Sequence, residues 1–260
     1  MITCKELAQQ VKDSIKKQVS EMTVKPSLAI ITVGNNPASA AYVKGKIKDC
    51  EEVGIVPMHI QIPEDVTQAT LERRITEAHF ATGIILQLPI PKHLNAAAAI
   101  ACINPAKDVD GLTAASPFTP CTARGVFEWL KLNTTIEGKH AVIINRSQLI
   151  GRPLAKLLLD AGAAVTICHS KTTSLLTMYT RWADIVVTAV DKPNFLRADL
   201  CKPGAIIVDA GINRVNGKLQ GDVDHGYWLE DKLVTPVPGG VDLLTRAYML
   251  QNVMDAYHGC

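Results

Sequence analysis

Within residues 37–49, PASAAYVKGKIKD, a tyrosine and a lysine stand four positions apart, Tyr42 and Lys46. In a helix of 3.6 residues per turn such positions are separated by about 40° and are neighbours on one face. A phenol beside an ammonium has a use in proton transfer, because a lysine held next to a hydroxyl in a partly dry site can take up and release a proton near neutrality. Ser39 adds a second hydroxyl one turn earlier on the same face. The same spacing also describes a half-buried tyrosine beside a solvated lysine, so the pair alone leaves both readings open. Gly45 lies inside the same turn, where glycine costs about 1 kcal/mol relative to alanine. Its missing side chain would let a ligand or a facing backbone approach closely.

The elements that must carry these groups alternate in type. Thr3 and Glu6 form a Thr-x-x-Glu capping box ahead of Leu7, Val11, Ile15 and Val19, which predicts a first helix. Apolar runs follow at 27–34 (SLAIITVG), 55–62 (IVPMHIQI) and 83–91 (GIILQLPIP), with a helix near 67–79. A second series begins at KHAVIINRSQLIGRPLAKLLLDAGAAVTICHSKT and continues through 183–190 (ADIVVTAV) and 204–213 (GAIIVDAGIN). Residues 241–258 are helical in pattern and long enough to pack back across another domain. Near-continuous apolar strands separated by helices belong to parallel sheets covered on both faces. The expected class is therefore α/β, with two α/β lobes joined near residues 120–125 and a cleft between them as the default place for a site.

In the second lobe the loop NRSQLIGRP follows the strand AVII, where a dinucleotide fingerprint falls, but lacks the Gly-x-Gly-x-x-Gly form. An ordinary turn whose Gly151 allows close packing reads equally well. At the end of the next strand, CHSKT places His169, Ser170 and Lys171 where such folds meet the adenine ribose. No carboxylate stands there, and Arg146 with Ser170 suits a 2′-phosphate, which favours NADP over NAD.

Composition narrows the partners. With 47% hydrophobic and 20% charged residues among 260, the chain has the balance of a soluble globular protein. Its 27 basic and 25 acidic side chains are scattered, so no stripe exists to track nucleic acid. The longest apolar run, AAAAIACI at 96–103, is too short for a membrane span, and the first residues fit neither a secretory signal nor a transit peptide. Seven widely spaced cysteines without a Cys-x-x-Cys pair predict reduced thiols in the cytoplasm, and neither they nor the seven histidines have metal-ligand spacing. Cys121 and His169 invite a nucleophile reading, but nothing in their spacing brings them together.

Taken in order, VGNNPASAAYVKGKIKDCEEVGI, GIILQLPIP, KDVDG, PCTARG, SQLIGRPLAKLLL, CHSKT, KPGAIIVDAGIN and TPVPGGV resemble the bifunctional methylenetetrahydrofolate dehydrogenase/methenyltetrahydrofolate cyclohydrolase family, the FolD type, over nearly the whole chain. The resemblance implies NADP-dependent oxidation of 5,10-methylenetetrahydrofolate and hydrolysis of the methenyl product to 10-formyltetrahydrofolate, in a homodimer. It implies a folate-binding catalytic domain of residues 1–120 and 243–260, and a Rossmann-type NADP-binding domain of residues 121–242. Catalytic roles fall on Lys46, Tyr42, Gln87 and Asp110; substrate contacts on Ser39, Tyr42, Gln87, Leu88, Asp110, Pro238 and Gly239. Cofactor contacts fall on Arg146, Ser147, Ile150, His169, Ser170, Ala189, Ile212 and Thr245. No metal is implied. Lys44 and Lys48 are placed to meet the carboxylates of a folate tail, although solvated helix charges are the commoner role.

The chain departs from the family pattern chiefly on the cofactor side. Asn145, Asp191 and Asp242 stand where the pattern has glycine, Ala123 replaces a proline, and the segment between Gly111 and Pro120 is short. The two aspartates introduce side chains and negative charge where the resemblance places an anionic dinucleotide. An alternative follows: a divergent paralogue with cyclohydrolase activity or folate binding only, its dehydrogenase weakened or lost. A short-chain dehydrogenase built on Tyr42 and Lys46 is rejected on order, because there the cofactor loop precedes the pair.

Overall fold

The computed structural model describes residues 1–224 and 233–259. By packing, the chain forms two units, one of Gln9–Cys121 with the chain from Arg246 on, the other of Met1–Ala8 with Thr122–Thr245.

The elements of the first half are α1 (Cys4–Glu21), β1 (Ser27–Val33), α2 (Pro37–Val53), β2 (Val56–Ile62), α3 (Gln68–Glu77), β3 (Gly83–Leu86) and α4 (Ala96–Ala101). The capping box that starts α1 is reciprocal: Glu6 N–H donates to Thr3 Oγ1 at 3.1 Å and Thr3 N–H to Glu6 Oε2 at 2.8 Å. The three strands form a parallel sheet in the order β2-β1-β3. Alternate residues go to opposite faces. Leu28, Ile30 and Ile85 join Ile15, Val19, Val43, Cys50 and Val53, while Ala29, Ile31, Ile84 and Leu86 join Leu71 and Ile75. Chain order and strand order part company at one place: β1 leads through α2 to one neighbour, and β2 leads through α3 back to the other. The crevice at the carboxyl ends of β1 and β3 is thus a topological switch point, where open α/β sheets bind ligands.

The second half comprises α5 (Cys121–Asn133), β4 (His140–Ile144), α6 (Gly151–Asp160), β5 (Ala164–Cys168), α7 (Leu176–Thr180), β6 (Ile185–Thr188), β7 (Leu196–Arg197), β8 (Ile206–Asp209), β9 (Asn213–Val215), β10 (Lys218–Gln220), β11 (Val223–Asp224), β12 (Leu233–Val234) and α8 (Val241–His258). Five parallel strands run in the order β12-β8-β6-β4-β5, with the switch point between β4 and β6. Both β6 and β8 are buried at every residue, as strands covered on both faces must be. The last helix changes unit along its length: Arg246 onward packs with Gln9–Cys121, where the buried Asn252 donates through Nδ2 to Val109 O at 2.8 Å and Thr119 O at 3.1 Å.

One detail differs from the sequence expectations. The strand expected over 204–213 stops at Asp209, and the chain then forms the antiparallel hairpin β9-β10. Asn216 and Gly217, both at positive φ, make its two-residue turn, an Asn-Gly signal that the apolar run overshadowed. In sequence the chain passes from one unit to the other between Cys121 and Thr122, where α5 begins. The short segment after Gly111 folds back tightly: Ser116 Oγ donates to Asp108 O at 3.0 Å, and Phe118 enters the core. The six described cysteines are free, and Cys260 lies outside the described residues. Burial pushes the thiols of Cys4 and Cys50 up to about 12, so neither is a nucleophile at neutral pH.

Candidate functional site

At the first switch point lies a hollow of about 320 Å³, lined by the ends of β1 and β2, the first turns of α2, Gln87 and Pro89. Two of its polar atoms, Ser39 Oγ and Gln87 Oε1, are buried with no hydrogen-bond partner. Because an unpaired buried polar atom costs about 1–3 kcal/mol, such atoms mark places that a ligand or water completes. Gln87 is held in place by its other end: its main-chain N–H donates to Ile31 O at 2.8 Å and Nε2 to Leu88 O at 2.8 Å. Sequence reasoning did not single out His59 and Gln61, which also line the hollow, with His59 Nε2 2.9 Å from Thr32 Oγ1. Their signal was the polar alternation in IVPMHIQI, which aims both at the face carrying Thr32. Lys44 lines the same hollow. Asp110 stands in the turn closed by Gly111 N–H to Asp108 O at 3.0 Å, beside β3 through the bridge between Ile84 and Asp108. Asp108 itself is fully buried; burial pushes its carboxyl up, against hydrogen bonds from Thr113 and Leu112 that pull it down.

Tyr42 and Lys46 share one face of α2 at different depths: Tyr42 is 40% exposed and Lys46 only 8%. Neither lines the hollow, whereas Ser39 on the same helix does. Below Lys46 the buried face of α2 turns ionic. Asp49, 3% exposed, lies 2.6 Å from Lys12 Nζ and 3.1 Å from Arg246 NH1. This accounts for Gly45, because a Cβ there would lie 2.7 Å from Arg246 NH1. The glycine admits the α8 guanidinium to the helix surface. Replacing Arg246 with alanine leaves Asp49 with one cation instead of two and is expected to cost about 1–3 kcal/mol in urea unfolding. Gly45→Ala meets only the end of a flexible side chain and gains about 1 kcal/mol of helix propensity, so its expected change is smaller than about 1 kcal/mol. A wild-type unfolding midpoint for Arg246→Ala would show that the guanidinium does not hold Asp49.

In the other unit the exits of β4 and β5 are adjacent, since Ile144 pairs with Cys168. That brings the turn of Asn145, Arg146 and Ser147 beside His169 and Ser170; Arg146, Ser147 and Ser170 are all exposed. His169 is tied into its loop, its N–H donating to Thr172 Oγ1 at 2.9 Å and its Nδ1 accepting from Lys171 N–H at 3.2 Å. Ile150 precedes α6, and the helix starts hard against the strand exit: a Cβ on Gly151 would lie 2.0 Å from Asn145 O. Ala189, at the exit of β6, accepts from Asn145 Nδ2 at 2.6 Å. Thr245 Oγ1 lies 3.0 Å from Thr122 Oγ1 and donates to Val241 O. A parallel sheet with a switch point, a close strand-to-helix approach and hydroxyl and guanidinium groups at two adjacent strand exits fit a dinucleotide.

Asp191 and Asp242, where the resemblance leads one to expect glycine, are turned onto their own chain. Asp191 sits at φ 53°, a left-handed conformation that aspartate tolerates better than most residues, and its Oδ1 accepts from Ile212 N–H at 3.2 Å. Asp242 Oδ1 accepts from Gly239 N–H at 2.9 Å and Gly240 N–H at 3.0 Å, just after Pro238. The charge expected to face a ligand thus serves first as an internal acceptor. The loop carrying Asp191 hangs from a fully buried carboxylate, Asp222, which accepts from Thr188 Oγ1, Val190 N–H, Lys192 N–H and Asn213 Nδ2 at 2.7–3.2 Å.

Two parallel α/β units, one with a polar hollow at its switch point and one of Rossmann-like strand order, define a two-unit protein with a dinucleotide-binding half. Residues 2–110 match the tetrahydrofolate dehydrogenase/cyclohydrolase catalytic domain, and residues 120–259 match the NAD(P)-binding domain of the same family. The bifunctional protein FolD of Bacillus anthracis is 41% identical over 96% of this chain and 94% of its own. The FolD methylenetetrahydrofolate dehydrogenase/cyclohydrolase of Campylobacter jejuni superposes with a TM-score of 0.92 at 39% identity, covering 98% of this chain and 97% of that one. The Trypanosoma brucei enzyme, complexed with NADP cofactor and inhibitor, gives 0.92 at 31% identity, covering 99% and 97%. The chain belongs to the tetrahydrofolate dehydrogenase/cyclohydrolase family. Among the described residues no helix is long and apolar enough to cross a membrane, and no three acidic, histidine or cysteine side chains group as metal ligands.

Proposed function

We propose that the protein oxidises 5,10-methylenetetrahydrofolate with NADP and hydrolyses the resulting 5,10-methenyl form to 10-formyltetrahydrofolate. The observation that carries this reading is the hollow at the first switch point, where Ser39 Oγ and Gln87 Oε1 are buried without partners on a chain of this family. We assign folate binding to residues 1–120 and 243–260 and NADP binding to residues 121–242, although by packing Met1–Ala8 and residues 243–245 go with the second unit. The enzyme works as a homodimer in the cytoplasm.

When bound, NADP supplies the hydride acceptor. Arg146 and Ser170 receive its 2′-phosphate and favour it over NAD; Ser147, Ile150, His169, Ala189, Ile212 and Thr245 line the rest. On the folate side, Asp110 accepts from the pterin, Gln87 orients the imidazoline ring, and Tyr42, Leu88, Pro238 and Gly239 hold the substrate in place. Loss of hydride leaves a methenyl cation whose charge is shared by the two flanking folate nitrogens. Water then attacks that carbon. Lys46 takes one proton from the attacking water and passes it to N5 as the carbon–N5 bond breaks, while the remaining hydroxyl proton leaves to solvent as the formyl C=O forms. Tyr42 and Ser39 keep the lysine and its water aligned on one helix face.

Assaying the two half-reactions separately tests this. Nicotinamide reduction is expected with methylenetetrahydrofolate and NADP, faster than with NAD, and methenyltetrahydrofolate hydrolysis is expected without nicotinamide. Hydrolysis alone would instead support the divergent cyclohydrolase, which the three substitutions on the cofactor side favour.

A further inference from the structure

At the start of α6 the main-chain donors are already taken. Ile150 N–H donates to Ser147 Oγ at 3.1 Å, Gly151 N–H to Asn145 Oδ1 at 3.0 Å, and Arg152 N–H to Ser147 O at 3.0 Å. Pro153 has no N–H to give, and Leu154 N–H begins the helical ladder by donating to Ile150 O. A helix start ordinarily leaves free donors and a partial positive charge, which is how Rossmann-type folds receive a diphosphate. Here one side chain fills that role. Asn145 Oδ1 also accepts from Ser147 N–H at 2.7 Å, while its Nδ2 donates to Ala189 O at 2.6 Å. Asn145 therefore spans the switch point from the exit of β4 to the exit of β6, binding both walls of the crevice.

We propose that Asn145 sets the affinity for the dinucleotide: it occupies the Ser147 and Gly151 N–H groups that a diphosphate would take. The cofactor then binds weakly unless this side chain swings out, and its diphosphate charge falls on the exposed guanidinium of Arg152, while exposed Arg146 meets the 2′-phosphate. Asp191 on Ile212 N–H and Asp242 on Gly239 and Gly240 N–H repeat the device on neighbouring loops. The inference rests on the reading of this unit as NADP-binding. It also implies a strong dependence on ionic strength, because attraction to exposed cations is screened by salt more than short hydrogen bonds to main-chain donors are.

The test is the dissociation constant of NADP, measured by titration calorimetry at low and high salt for wild type, Asn145→Gly and Asn145→Ser. Two freed donors to a charged group should tighten binding by Asn145→Gly at least about tenfold and flatten its salt dependence. Asn145→Ser, whose hydroxyl is too short to reach Ala189, should fall between. Equal or weaker binding by a glycine variant that melts like wild type overturns the proposal. If the glycine variant does not fold, the serine variant decides in the same way. Reduction of NADP by the wild type judges the enzymatic reading separately. An active wild type with unchanged affinity in the variants keeps the enzyme and removes the role of Asn145; an inactive wild type with a tighter-binding variant does the reverse.

Discussion

Lys46→Ala is expected to lower methenyltetrahydrofolate hydrolysis by about 10²–10⁴-fold, the usual contribution of a positioned acid/base. The loss should fall on kcat, with KM little changed, because the substrate is held mainly by Gln87, Asp110 and the walls of the hollow rather than by the ammonium. Lys46→Arg is the sharper variant. It keeps the positive charge on the buried face of α2, but a guanidinium does not give up its proton in a protein and cannot take one from water. It should therefore be nearly as inactive as alanine. Retention of more than about a tenth of the wild-type kcat by Lys46→Arg would assign the proton to another group, because charge alone would then suffice.

The largest expected effect on stability belongs to Asp222. Its two carboxylate oxygens, fully buried, accept four hydrogen bonds and suspend the loop from Thr188 to Lys192. Asp222→Ala leaves four donors without an acceptor, and hydrogen bonds to a charged group contribute about 1.5–3 kcal/mol each. One effect opposes this. The neighbouring Asp209 is also fully buried, its carboxyl pushed up by burial first and, less strongly, by the charge of Asp222, so removal of Asp222 relieves it. A single relieved repulsion is smaller than four lost bonds, and the net cost is expected to be about 4 kcal/mol or more in urea unfolding. Asp222→Asn keeps the shape but turns one oxygen into a donor, so it must face either the Thr188–Val190 pair or the Lys192–Asn213 pair with the wrong polarity. It should lose about half as much. Wild-type stability in the alanine variant would mean that the loop is held by its strand ends rather than by the carboxylate.

The residues of the site were legible in the sequence to different depths. The capping box of α1, the apolar strands and the bounds of α8 follow from patterns a few residues long, because helix and strand periods decide which side chains share a face. Tyr42 and Lys46 became neighbours on α2 for the same local reason, and the order of motifs along the chain was enough to point to the folate family. The sequence could not say which of those neighbours is buried, nor what the glycine between them is for. That was decided by Arg246, which arrives from the last helix and brings its guanidinium to the helix surface where a Cβ at position 45 would meet it. The acceptors chosen by Asn145, Asp191 and Asp242 were equally hidden, since each bond depends on loops brought together by the closing of a parallel sheet whose strands are not adjacent in sequence. Local order is written in spacing. Which polar group meets which is settled only when distant segments are buried together, because a buried donor must find an acceptor wherever the fold has placed one.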